Sequence, residues 1–566
     1  MAEAGTPARS ALFAFSDRFV EELAGRDPML ATSLGVAGYD HLLPEFTSER
    51  FQEDADFTEA SLATLRAIEP TDDVDRIAKA VMDERLSDTA ELERSFEYAR
   101  RFGTILSPVS SIRQVFELMA RETAEDAVVI ATRLRAVRPA LASWREGLAD
   151  VAARGELPAR RHVLGVAEQA ETYARGAFST FAAGLRVAPV PDDLLDAARD
   201  ADAACGELST HLREELAPRA TTVEACGPER YPKWLRHYNG ITLDLDELYA
   251  WGWADLRRIN ARMWELAAEL APGAIRLADV AATLDGDDAR AIFGTDALLA
   301  RLEAFTQATV DRLDGVQFDI DERIRRCDAR LAPEGSSAAP YYIAPSEDLT
   351  RPGTTWFPTL GRTRFPWWRS ASTWYHESVP GHHLQDATIL LASDRLTRFQ
   401  RTLAWTSGNG EGWALYAERL MEELGAFTDP ADELGYLEGQ GLRAARIVVD
   451  LGLHLGYPAP ADLGELGGLG DCSSKPWTPQ MAVAFLEERA ILEHEFAVSE
   501  IDRYLAIPGQ ATSYKVGERV WLQAREDARA RLGDRFDLKG FHSFALRLGP
   551  MGLEPFRAEL ARWDGG

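Results

Sequence analysis

Residues 125–153, EDAVVIATRLRAVRPALASWREGLADVAA, carry apolar side chains three and four positions apart along most of their length. That spacing returns to one face of an α-helix at every turn, whereas a half-buried strand alternates at every second residue. The same period runs through 241–270 and 479–505, and alternating runs are scarce elsewhere. The expected fold class is therefore mainly α, a large helical body with at most a small β-sheet. Thr478-Pro479 marks one helix start, because a threonine hydroxyl caps free amides and proline suits the first turn. Two stretches lack the helical period. Residues 331–370, rich in Pro, Gly and aromatics, read as an extended loop or short sheet region, and 457–477, with a Gly-Gly pair and several prolines, reads as a surface loop between two helices. There is no internal repeat. A boundary near Cys226-Gly227-Pro228 divides a helical N-terminal half, 1–226, from a C-terminal half, 227–566, that holds every chemical motif described below.

The 566 residues are 46% hydrophobic and 27% charged, a globular composition that excludes disorder and fibrous repeats. With 91 acidic against 62 basic residues the net charge is −29, a field that repels phosphate backbones and anionic lipid surfaces, so nucleic acid and membrane are both excluded as partners. The four cysteines, Cys205, Cys226, Cys327 and Cys472, are far apart and form no CxxC pair. They indicate a reducing compartment rather than a disulfide framework. The first residues, MAEAGTPARSALFAFSDRF, interrupt any apolar stretch with polar side chains, and no later run is as long as a membrane span. A cytoplasmic location is expected.

Of the ten histidines, three fall within eight residues, in ASTWYHESVPGHHLQD, 371–386. His376-Glu377 begins like HExxH, in which histidines at i and i+4 bind zinc and the intervening glutamate acts as general base. Here position i+4 is Pro380, which has no ligand atom. The second imidazole must come from His382 or His383. On an undistorted helix i+6 points about 120° away from i, while i+7 returns to within about 20° but lies roughly 10.5 Å along the axis. His383 thus suits a straight helix and His382 a helix bulged at the Pro-Gly pair.

Downstream, SGNGEGWALYAERLM, 407–421, is a glycine-rich turn leading into a helix that puts Glu411 and Glu418 seven apart on one face. Two histidines and a later carboxylate leave a fourth zinc position open for water, so Glu411 is the candidate third ligand and Glu418 a supporting partner or alternative. In the segment 441–456, Arg446, Asp450 and His454 follow at i, i+4 spacing, which lets Asp450 orient His454 or hold it charged. Glu493-His494-Glu495 repeats the HE dipeptide without a partner histidine and reads as a solvated helix face. His41, His162, His211, His237 and His542 stand alone and read as structural.

HESVPGHHLQ, EGWALYAE, GLRAARIVVDLGLH and EIDRYLAIPGQATSYKVG, in that order, resemble the signatures of the bacterial domain-of-unknown-function family 885, with a weaker echo in ATSLGVAGYDHLLPEF near the N-terminus. That family is similar to the gluzincin metallopeptidases, which are mostly helical with a deep cleft and carry HExGH. Gly381-His382 looks like their Gly-His with two residues inserted before it. The resemblance implies that Tyr514 stabilises the oxyanion of amide hydrolysis, a role for which His454 is the competitor. Arg503 or Lys515 would pair with a substrate carboxylate, with Arg443 and Arg446 as rivals.

The expected function is that of a zinc metallopeptidase. One zinc ion is held by His376, His382 or His383, and Glu411, and Glu377 takes a proton from the activated water and returns it to the leaving amine. The expected partner is a peptide or another small amide. Two other readings use the same residues: a hydrolase of non-peptide amides or esters, and a helical binding protein in which the insertion has undone the metal site.

Overall fold

The computed structural model describes residues 10–187, 191–332, 339–346 and 349–566. It is 65% helix and 5% strand, a mainly α protein. The chain forms two compact units: Met1–Cys226 with Asp502–Ile507, and Gly227–Ile501 with Pro508–Gly566.

In the first unit the period of residues 125–153 becomes the helix Ala124–Ala153, which runs through Pro139. Ile130, Leu134, Val137, Leu141, Trp144 and Leu148 are all buried, so the three-and-four spacing is the core stripe. Thr123 and Asp126 close a reciprocal cap on its first turn. This helix packs on Leu194–His211, which in turn packs on Arg160–Ala174.

The second unit is organised by two helix pairs: Leu245–Leu270 against Pro430–Leu455, and Ser407–Glu423 against Ser513–Leu532. Glycine sets the depth of the second crossing. A Cβ on Gly412 would lie 2.4 Å from the Gly517 Cα, and one on Gly517 would lie 2.0 Å from the Gly408 carbonyl oxygen. The glycine-rich stretch read as a turn is therefore helical, with Thr406 as its cap, because contact with a neighbouring backbone compensates for glycine's weak helix preference.

Residues 331–370 supply most of the sheet. Gly353–Phe357 runs at the centre of three strands, parallel to Cys327–Leu331 and antiparallel to Tyr341–Ile343, and Arg364–Pro366 pairs antiparallel with Ala291–Phe293. Residues 333–338 and 347–348 of that stretch, and 1–9 of the N-terminal reading, lie outside the described residues. Residues 457–477 are irregular, with only isolated bridges such as Pro458 to Pro476. Thr478 caps the helix Pro479–Arg489 as expected. The helix expected to span 479–505 is instead two, Pro479–Arg489 and His494–Ala506, because Ile491 adopts a left-handed φ of 56°. Neither Gly nor Pro announces that break. His494 bonds to Glu487 on the helix before it. The four cysteines are free, and among the described residues no helix is long and apolar enough to cross a membrane.

His542, read as structural, sits beneath the Ser407–Glu423 helix. Its Nδ1 faces the Gln317 carbonyl at 3.4 Å and so carries the proton, leaving Nε2 to accept from the Tyr416 hydroxyl at 2.7 Å. Burial pushes its pKa down to about 3. The unfolded imidazole titrates near 6.5, so the unfolded chain binds a proton that the folded chain refuses between those values. Stability is complete above that pH and is lost as pH falls towards 3, by about 1.4 kcal/mol per pH unit from this group. Urea unfolding at pH 6 and pH 4 should show this slope, and His542→Gln should remove about one proton's worth of it.

Candidate metal centre

The helix Ser370–Glu377 ends on the His-Glu pair, and a new helix, His382–Leu391, starts five residues later. Between them Val379–Pro380 is a cis peptide, and the chain doubles back so that the Gly381 amide donates to the Tyr375 carbonyl at 3.0 Å. A Cβ at Gly381 would lie 1.9 Å from the His376 carbonyl oxygen, so only glycine fits this close approach. The Trp413 indole NH lies 3.0 Å from both the Pro380 and the Gly381 carbonyl oxygens, which clamps the turn from the Ser407–Glu423 helix. The two extra residues relative to HExxH are thus spent in a break between helices, and neither helical-wheel angle applies.

The break brings His376 and His382 together. Their rings stand 4.9 Å apart at 88°, and one oxygen of Glu411 lies 3.2 Å from His376 Nε2 and 3.6 Å from His382 Nε2. Three ligands on a tetrahedral zinc at 2.0–2.1 Å would have donor atoms about 3.3 Å apart, so this donor set fits the ion in kind and in spacing. His376, Glu377 and His382 also offer ligand atoms within 4.8 Å of one another. Glu411 touches both imidazoles, and the half-buried Glu377 stands beside the centre as a second carboxylate.

Carboxylates surround these imidazoles. His376 Nδ1 contacts Glu418 at 2.8 Å, and the other Glu418 oxygen accepts from the Ser372 hydroxyl. Burial disfavours charge on His376, but the bonds to Glu411 and Glu418 outweigh it and raise its pKa to about 9. Burial likewise opposes charge on Glu411, yet His376 and His382 hold its carboxyl well below the usual range. Burial raises Glu377 against the pull of the same two imidazoles. Asp386, one helical turn beyond His382, is raised to about 6 by burial while His382 draws it down. Glu411 favours the protonated form of both imidazoles, and a dication bound between them would displace those protons.

The structure gives five of the expected site residues other partners. His383 faces away from the centre: its Nε2 donates to the Ile324 carbonyl at 2.7 Å, and its Nδ1 accepts from the Tyr342 hydroxyl at 3.0 Å. With both nitrogens committed, and burial pushing its pKa down to about 4, His383 ties the helix to the sheet and offers no lone pair to a metal. Lys515 is buried in contact with Gln440, Glu518 and Asp255, so it has no free donor for a substrate carboxylate. Arg446 is bound at two nitrogens by Glu500. His454 and Asp450 have no exposed side-chain surface; Asp450 also accepts from the Tyr231 hydroxyl and the Gly509 amide, which makes the pair part of the core. Arg503 falls in the segment grouped with the first unit, over the Tyr504 ring.

Tyr514 does lie beside the centre. Its ring is stacked at 6.4 Å from that of His376, with the Arg446 guanidinium 4.8 Å and that of Arg443 5.7 Å from its centroid. Ser372 and Asp386 were missed in the sequence. Each carried a signal, since Ser372 is four residues before His376 and Asp386 four after His382.

Fold and site together define a mainly helical protein whose C-terminal unit gathers two imidazoles and a carboxylate in one cluster, with a second, buried carboxylate behind them. The chain belongs to the family of bacterial proteins of unknown function DUF885, whose model matches residues 28–560. Its fold is similar to that of a candidate lipoprotein from Colwellia psychrerythraea, at 21% identity and a TM-score of 0.82 over 98% of each chain. It is also similar to a candidate lipoprotein of unknown function from Shewanella oneidensis, at 19% identity and a TM-score of 0.73 over 97% of this chain and 100% of the other. No curated protein matches it.

Proposed function

We propose that the protein is a zinc-dependent metallopeptidase whose metal is held by His376, His382 and Glu411. The observation that carries this reading is the convergence of two Nε2 atoms on one Glu411 oxygen at 3.2 and 3.6 Å, with Glu377 next to His376 in the chain. A zinc ion there supplies Lewis acidity, lowering the pKa of water and polarising an amide carbonyl.

The chain's own groups do the rest. Glu377 receives the proton of the attacking water and returns it to the leaving amine. Glu418 fixes His376 through Nδ1, so that Nε2 presents its lone pair. Tyr514 is the hydroxyl donor for the oxyanion. The resemblance of HESVPGHH to HExGH favours a peptide bond over other amides.

Metal analysis of protein purified without chelators tests this directly. About one zinc per chain is expected, with hydrolysis of a mixed peptide pool abolished by a chelator and restored by added zinc. Metal-free protein, or peptide hydrolysis indifferent to the chelator, overturns the reading.

A further inference from the structure

Four cations were within reach of the carboxylate role by sequence, and the structure distinguishes them. Lys515 is enclosed by Glu518, Asp255 and Gln440, Arg446 is bound by Glu500, and Arg503 lies over the Tyr504 ring. Arg443 is different. Among the described residues its guanidinium makes no hydrogen bond and no ion pair, although its Nε is buried. It stands 5.7 Å from the face of Tyr514, whose ring lies 6.4 Å from that of His376, and its charge acts on Glu377, Glu418 and Glu438. A buried donor without an acceptor costs about 1–3 kcal/mol, more for a charged group, and a guanidinium is shaped to take both oxygens of one carboxylate.

We infer that Arg443 is the anchor for the C-terminal carboxylate of the substrate, which makes the site specific for peptides cut near their free C-terminus. A peptide advances at most about 3.6 Å per residue, so the two ring-scale steps from His376 to the guanidinium match a carboxylate no more than about three residues beyond the scissile bond. The product is a C-terminal piece of about one to three residues. The Tyr514 ring between them forms the wall along which that short segment lies. This inference rests on the peptidase reading for the cleavage, but the anchoring itself can be measured without turnover.

Two measurements test it on the full-length protein. In the first, calorimetry compares Ala-Leu with its C-terminal amide as ligands; the free acid should bind at least tenfold more tightly, and Arg443→Gln should reduce that difference to less than threefold, with Arg443→Lys between the two. In the second, a peptide and its C-terminal amide are compared as substrates: the wild type should favour the acid by at least tenfold in kcat/KM, mainly through KM, and Arg443→Gln should lose the preference. Circular dichroism melts of the variants verify that they are folded. Equal binding of acid and amide by the wild type, or a preference that survives in Arg443→Gln, overturns the assignment. Selective binding of the acid without hydrolysis of any peptide upholds Arg443 as the anchor and overturns the peptidase reading instead.

Discussion

Glu377→Gln is expected to lower peptide hydrolysis by about a thousandfold or more while the protein keeps its zinc. The substitution preserves the shape and size of the side chain and removes its ability to take up a proton. Glu377 follows His376, a proposed ligand, is half-buried, and lies close enough to His376 and His382 for both to pull its titration down against the effect of burial. Metal retention is the sharper half of the expectation, because Glu377 is itself within 4.8 Å of the imidazole donors. If Glu411 is the ligand, Glu411→Gln loses the metal and Glu377→Gln does not. The reciprocal result, with zinc lost in Glu377→Gln and kept in Glu411→Gln, would exchange the two roles. Elemental analysis and steady-state rates on both variants decide the matter.

The helical class was legible because it depends on local spacing. The stripe in residues 125–153 needs no distant partner to be read, and it became the buried face of one helix. Thr478 likewise signals its cap through a hydroxyl bonded three residues on. The cluster was legible for a related reason, since His376, Glu377 and His382 are neighbours in the chain. What could not be read were the partners that neutralise a charge from far away. Lys515 meets Asp255, and Asp450 meets Tyr231, across some two hundred residues or more, and both pairs turn apparent site residues into core. The left-handed Ile491 escaped notice because nothing in ERAILEH, 488–494, marks a break.

The choice between His382 and His383 was open for a different reason: it depends on whether the helix continues. A straight helix favours the second and a bulged one the first, yet the chain does neither, ending one helix at Glu377 and starting another at His382. The glycine that permits this, with the His376 carbonyl where its Cβ would be, and the indole of Trp413 that clamps the turn, lie in two separate motifs. Each of the conspicuous sequences HESVPGHH and EGWALY is thus half of one device, and its purpose appears only when the halves meet.

That device predicts opposite consequences for adjacent histidines. His382→Ala should reduce zinc affinity by about a hundredfold to a thousandfold, since each ligand carries about 3–4 kcal/mol of the 10–16 kcal/mol typical of a structural four-ligand zinc site. Its side chain is partly exposed at 14%, so the fold should tolerate the loss. His383→Ala removes an imidazole with no exposed surface and strands both the Tyr342 hydroxyl and the Ile324 carbonyl, at a cost of about 2–4 kcal/mol in stability. It should keep its zinc at temperatures where it remains folded. Competition of each variant against a fluorescent zinc chelator, with a urea titration alongside, separates the two effects. Metal lost from folded His383→Ala and retained by His382→Ala would reverse the ligand assignment, and the Pro-Gly turn would then be a kink within one helix rather than the break that brings His382 to Glu411.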